Sequence, residues 1–154
     1  ELQRICTANI KNEVGKTTYT QMLNKDGGIG TDLTVVTYGA MVHESLAVAE
    51  RLSREGAECE VVDLRSLCPL DRATFLTSVR KTSRALVVHE AQLTGGFGGE
   101  VAAIIAQEAF DVLDAPVTRV GALDVPSPFA ASLEDAMLPT EEKIYTAAKN
   151  VLNY

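Results

Sequence analysis

Ala85-Leu86-Val87-Val88-His89 runs through four apolar residues without a polar interruption before reaching the histidine. A strand with one face in water alternates apolar and polar side chains. An unbroken apolar run implies burial on both faces, as in an interior strand of a parallel sheet covered by helices. Both flanks agree. On the N-terminal side, Asp71 is placed to cap a helix reaching Lys81, with Phe75 and Val79 four apart on its inner face. On the C-terminal side, Thr94-Gly95-Gly96-Phe97-Gly98-Gly99 forms a glycine-rich turn. A helix is expected from there to about Leu113, carrying Val101, Ile104, Ile105 and Val112.

The same alternation continues outward. Asp32 to Tyr38 and Glu60 to Leu64 read as strands. Between them Met41, Val42, Leu46, Ala49 and Leu52 recur at helical spacing, and Gly56 supplies the stop. Val117 to Val120 gives a fourth strand behind Pro116. The stretch from Asp124 to Pro139, with three prolines, reads as a surface loop. Thr140 is the expected N-cap of a last helix whose stripe is Ile144, Ala148, Val151 and Leu152. Repeated strand–helix–strand order calls for right-handed crossovers. The fold class expected is α/β, a three-layer α/β/α arrangement around a mostly parallel sheet of four to five strands. Residues 32–154 form this domain. Residues 1–31 are set apart, with a candidate antiparallel edge strand at 16–23 and the remainder read as flexible or extraneous sequence.

The 154 residues hold 14 basic and 21 acidic side chains, a net charge of −7. A phosphate backbone would be repelled, so nucleic acid is not an expected partner, whereas a basic protein patch would be attracted. No apolar stretch approaches the roughly 18 residues that span a bilayer, and the N-terminus shows no secretory pattern. Cys6, Cys59 and Cys68 include no Cys-x-x-Cys spacing. Cys59 and Cys68 read as small buried apolar residues in a reducing compartment.

The turn from Thr94 to Gly99 could bring backbone amides close to a phosphate, but Gly-x-Gly-x-x-Gly fails, with Val101 at its last position from Gly96. Gly15-Lys16-Thr17-Thr18 lacks the earlier glycine of a phosphate loop, since Ile10 stands there. His43-Glu44 and His89-Glu90 lack the second histidine of a zinc helix, because Ala47 and Leu93 occupy that position. His89-Glu90 nonetheless lies at the carboxyl end of a buried strand, where open α/β sheets place ligands. It is read as a hydrogen-bonded interface pair, with acid–base work as the competing role. Asp63 and Asp124 read as turn and cap residues, and no serine sits in a nucleophile elbow.

Taken in order, Asp32 to Gly39, Val61 to Asp71, Val88-His89-Glu90-Ala91, Leu93 to Gly98 and Ala115 to Val120 resemble one family. It is the C-terminal domain shared by transketolases and the β subunits of 2-oxo acid dehydrogenases. Ile144-Tyr145 through Asn153-Tyr154 is most similar to the branched-chain (2-oxoisovalerate) member, and the pyruvate and acetoin enzymes share closely similar domains. The resemblance implies a domain for subunit assembly and core docking. The complete enzyme would carry thiamine diphosphate with magnesium, bound elsewhere than on this chain. No catalytic, cofactor-binding or metal-binding residue is carried over. The implied partners are an α subunit, a second β subunit and the basic subunit-binding domain of the core acyltransferase, in the bacterial cytoplasm or mitochondrial matrix. His89, Glu90, Gly95, Gly96, Phe97 and Tyr154 are the interface candidates, with Phe97 expected to project as an apolar anchor. Two rival readings are a nucleotide-binding regulatory domain using Gly95 to Gly99 and Asp124, and a hydrolase built on His89 and Glu90.

Overall fold

In the computed structural model, residues 5–7, 18–22 and 30–154 are described. The elements in chain order are β1 (Ile5–Thr7), β2 (Thr18–Met22), β3 (Leu33–Thr37), α1 (Met41–Arg54), β4 (Cys59–Asp63), α2 (Arg72–Thr82), β5 (Ala85–Gln92), α3 (Gly98–Glu108), β6 (Thr118–Ala122), α4 (Ala131–Met137) and α5 (Glu141–Leu152). A short 3-10 turn, Phe110–Val112, follows α3. The sheet order is β1-β2-β4-β3-β5-β6. β4, β3, β5 and β6 run parallel, while β2 joins β4 antiparallel and β1 joins β2 antiparallel.

The sheet therefore has six strands rather than four to five, the addition being β1. Its pairing is a main-chain match between Ile5–Thr7 and β2, which leaves no periodic mark in a three-residue segment. The parallel core is as read from the sequence. Every residue of β3 and β4 is buried, as are the first five of β5. Alternate side chains feed two separate apolar layers. Leu33, Val35, Val61, Leu86 and Val88 meet Val48, Leu52, Ile144 and Ala148 of α1 and α5. Val36, Val62, Ala85 and Val87 meet Phe75, Val79, Val101 and Ile105 of α2 and α3. At about 1.5–3 kcal/mol per buried large apolar side chain, these two layers dominate the stabilisation.

One layer also contains a polar seam. Glu60 is 1% exposed beneath α2, where Ser78 donates to its Oε2 at 2.7 Å and Lys81 pairs with the same oxygen. Thr34 Oγ1 lies 2.8 Å from Ser78 Oγ and 2.7 Å from Thr82 Oγ1. The hydroxyls form a chain ending on a paired carboxylate, which offsets the cost of taking that charge out of water.

The helix ends follow the sequence. Asp71 accepts from Thr74 N, and Thr140 accepts from Lys143 N. A clasp ties α1 to α5: Tyr145 donates to Glu55 at 2.7 Å, Lys149 pairs with Glu55, and the Arg51 guanidinium sits 3.5 Å over the Tyr145 ring. Two expectations are corrected. The segment from Asp124 to Pro139 is not all loop, since it contains α4, which buries only Met137 and so has no apolar stripe to detect. Cys68 is exposed rather than buried, because it lies in a turn where Leu67 bridges back to Leu70.

Candidate functional site

In the parallel part of the sheet the chain runs from β3 outward to β4 and then crosses back to β5 on the other side. The carboxyl ends of β3 and β5 therefore flank the switch point where such sheets place ligands. Here that crevice is filled by the chain itself. Tyr38, just past β3, stacks on His89 of β5 with ring centroids 6.4 Å apart and planes 5° apart, and Phe97 meets Tyr38 edge-on at 6.4 Å.

His89 is 0% exposed, and neither ring nitrogen has a hydrogen-bond partner. Three glycines close around it. A Cβ on Gly96 would stand 2.9 Å from Cε1, one on Gly121 would stand 2.8 Å from the same atom, and one on Gly98 would overlap Cδ2 and Nε2. Gly96 and Gly98 of the turn thus let the start of α3 lie against the imidazole, and Gly121 does the same for β6. Gly95, with φ of +76°, supplies the left-handed step. Burial lowers the pKa of His89; the Ala91 backbone pulls the other way without reaching hydrogen-bond geometry, and the Arg119 charge adds to the lowering. The ring is neutral at pH 7.

These contacts correct several sequence expectations. His89 has no surface of its own and is not a contact for another molecule. It is not hydrogen-bonded to Glu90 either; Glu90 is exposed while His89 is buried. Both the interface pair and the acid–base pair fail on that geometry. Phe97 does not project: it is half-buried against Tyr38 and the α2–α3 layer. The turn does not fit a phosphate, because Gly96 and Gly98 face the imidazole instead of open space. Asp124 serves as a staple, accepting from Thr94 N at 2.9 Å and Thr94 Oγ1 at 2.6 Å, which holds its carboxyl below the ordinary range. Arg119 adds a second tie to the Leu93 carbonyl. The Cys59 thiol is pushed up to about 12 by burial and then by the nearby charges of Asp32 and Glu58, so it is inert. Among the described residues no three His, Cys, Asp or Glu gather to hold a metal ion. The filled switch point does not fit a diphosphate cofactor.

Tyr154, 77% exposed, and Phe110 border an open groove of ≈ 610 Å³ floored by Ala102, Ala106, Leu113 and Pro116, with Asp114 at its rim. The signal for it was present in the sequence. Helix α3 carries Ala102, Ala103 and Ala106 opposite its core residues Val101, Ile104 and Ile105, so that part of its outer side is small and apolar. Glu90, another interface candidate, is exposed on the wall of a second concavity, at the carboxyl edge. Among the described residues no helix is long and apolar enough to cross a membrane.

Fold and site together define a helix-covered, mostly parallel α/β domain. Residues 23–144 match the family model described as transketolase, C-terminal domain, and the chain belongs to that family. It is 47% identical over 125 residues to the pyruvate dehydrogenase E1 component subunit beta of Bacillus subtilis, covering 81% of this chain and 38% of that protein. It is 48% identical over 120 residues to the mitochondrial subunit beta-1 of the Arabidopsis thaliana enzyme, covering 78% and 33%. The chain thus spans between a third and two fifths of the length of these relatives. Among solved structures, a split-gene transketolase described as an inactive beta4 tetramer superposes with a TM-score of 0.76 at 30% identity, over 97% of this chain and 45% of that one. A Pichia stipitis transketolase shares the fold, with a TM-score of 0.61 at 15% identity over 90% of this chain and 18% of that one.

Proposed function

We propose that this chain is the assembly and core-docking domain of a β subunit in a thiamine-diphosphate-dependent 2-oxo acid dehydrogenase, acting intracellularly in a bacterial cytoplasm or mitochondrial matrix. Its partners are an α subunit, a second β subunit and the basic subunit-binding domain of the core acyltransferase. Thiamine diphosphate and magnesium supply the decarboxylation chemistry of the complete enzyme. This domain contributes contacts, and residues 32–154 form the unit that carries them.

The observation that supports docking is the groove beside Tyr154. It is apolar and open, its one charged lining residue, Asp114, pairs with Arg84 at 3.7 Å, and the chain carries a net charge of −7. An apolar groove on an acidic chain suits a small basic domain that is steered by charge and held by contact. Calorimetric titration with the basic subunit-binding domain should give binding that weakens as salt rises. Tyr154→Ala should weaken it at least tenfold, about 1.4 kcal/mol. No heat of binding at low salt would refute docking.

For the substrate, we infer a branched-chain 2-oxo acid, on the likeness of Ile144-Tyr145 through Asn153-Tyr154 to the branched-chain enzyme. The curated relatives named above are pyruvate enzymes. Reconstitution of the full-length protein with its α subunit decides the matter: faster turnover of pyruvate than of 2-oxoisovalerate reassigns the substrate.

A further inference from the structure

One wall of the groove beside Tyr154 is not held by the core. Phe110 opens the short 3-10 turn after α3, and its side chain is 78% exposed. Val112 and Leu113 of the same segment pack against the α2–α3 layer, but Phe110 gains nothing from that burial. An exposed aromatic on so short a turn is free to swing. Ordering it only when a partner arrives would cost affinity, so a groove that uses it needs the turn fixed beforehand.

The ties that fix it come from α2. The Arg80 guanidinium donates to the Glu108 carbonyl at the C-terminal end of α3, and it pairs with the Asp111 carboxylate at 3.4 Å. Past Phe110 the chain is caught again. Asp114 N donates to the Ser83 carbonyl at 2.8 Å, and Asp114 pairs with Arg84 at 3.7 Å. Ser83 presents that carbonyl from a left-handed step, φ +57°, just after α2. Glu108, Asp111 and Asp114 are thus each tied to the end of α2, on both sides of Phe110. The planar fork of Arg80 serves a carbonyl and a carboxylate at once, which the single point charge of a lysine does not reproduce.

We propose that Arg80 is a positioning residue for the docking groove: from outside the groove, it holds the turn after α3 so that Phe110 stands in place before the partner binds. The proposal rests on the docking reading above and adds the residue that shapes its site. Charge and positioning act in opposite directions here. A cation beside a site for a basic partner repels it, so on charge alone the loss of Arg80 strengthens docking. Holding the wall demands the reverse sign. An exposed ion pair contributes little to global stability, so the effect of its loss belongs in the turn and not in the fold.

The test uses the full-length protein and two measurements: hydrogen exchange across 109–114, where Val112 N and Leu113 N donate within the turn, and calorimetric titration with the basic subunit-binding domain. Arg80→Ala should speed exchange in that segment about fivefold, leave α1 and α5 unchanged, and weaken docking about fivefold. Phe110→Ala should weaken docking to a similar degree, and the double variant should lose no more than Phe110→Ala alone. Unchanged exchange in 109–114 overturns the proposal whether or not docking occurs. Tighter docking by Arg80→Ala overturns it, and so do losses that multiply in the double variant. No heat from the unmodified protein overturns the docking reading and the use of the groove with it, while the exchange result still decides whether Arg80 holds the turn. Should Arg80→Ala lose its native circular dichroism, Arg80→Lys decides instead. With the charge kept and the fork lost, faster exchange and weaker docking support the proposal, and values equal to those of the unmodified protein overturn it.

Discussion

The most exacting environment for a single residue is that of His89. The ring is enclosed by main chain and glycine, with no protein partner for either nitrogen, so protonation would place a charge in a buried site beside Arg119. Its pKa in the folded chain lies below the value of 6.5 taken for a free side chain. The unfolded chain therefore binds the proton more readily. Stability contributed by the neutral ring is full above that value, is lost as pH falls through it, and levels off once the folded form titrates too. Urea unfolding at about pH 7.5 and about pH 5.5 should show a drop that His89→Gln reduces. An equal drop in the variant would remove His89 as its source.

At the level of elements, legibility followed the physical origin of each feature. β5 was readable because burial on both faces writes an apolar run into the chain, and α5 because Thr140 and its stripe mark both start and face. α4 was not, since its backbone is propped by Leu123 and Met137 is its only buried side chain, with Leu133 exposed. The glycine turn was visible, but its purpose was not: Gly121, the third wall around His89, lies well beyond the turn in sequence and meets the ring only through β5–β6 pairing. That packing fixes how closely α3 can approach the sheet. Gly98→Ala should force α3 away or displace the ring, at a cost of about 1–3 kcal/mol by thermal or urea melting. His89→Ala should recover part of the loss, since the added methyl then has room. A Gly98→Ala variant as stable as the parent would contradict the arrangement.

For the molecule as a whole, the two apolar layers share one sheet, and Val35 and Val36 of β3 point into opposite layers. Val35→Ala and Val36→Ala should each lower stability by about 2 kcal/mol and leave a single transition by circular dichroism. A separate early transition in either variant would mean that the layers unfold independently. The groove beside Tyr154 and the concavity walled by Glu90 lie toward opposite ends of β6.

The clasp between α1 and α5 has an optical consequence. The chain contains four tyrosines and no tryptophan, so its near-ultraviolet emission is phenolic. Tyr145 shares its proton with the Glu55 carboxylate beneath a guanidinium, an arrangement that drains the excited ring. Lifting α5 from α1 breaks that link, so the protein brightens as the helix leaves and carries its own light signal for the event.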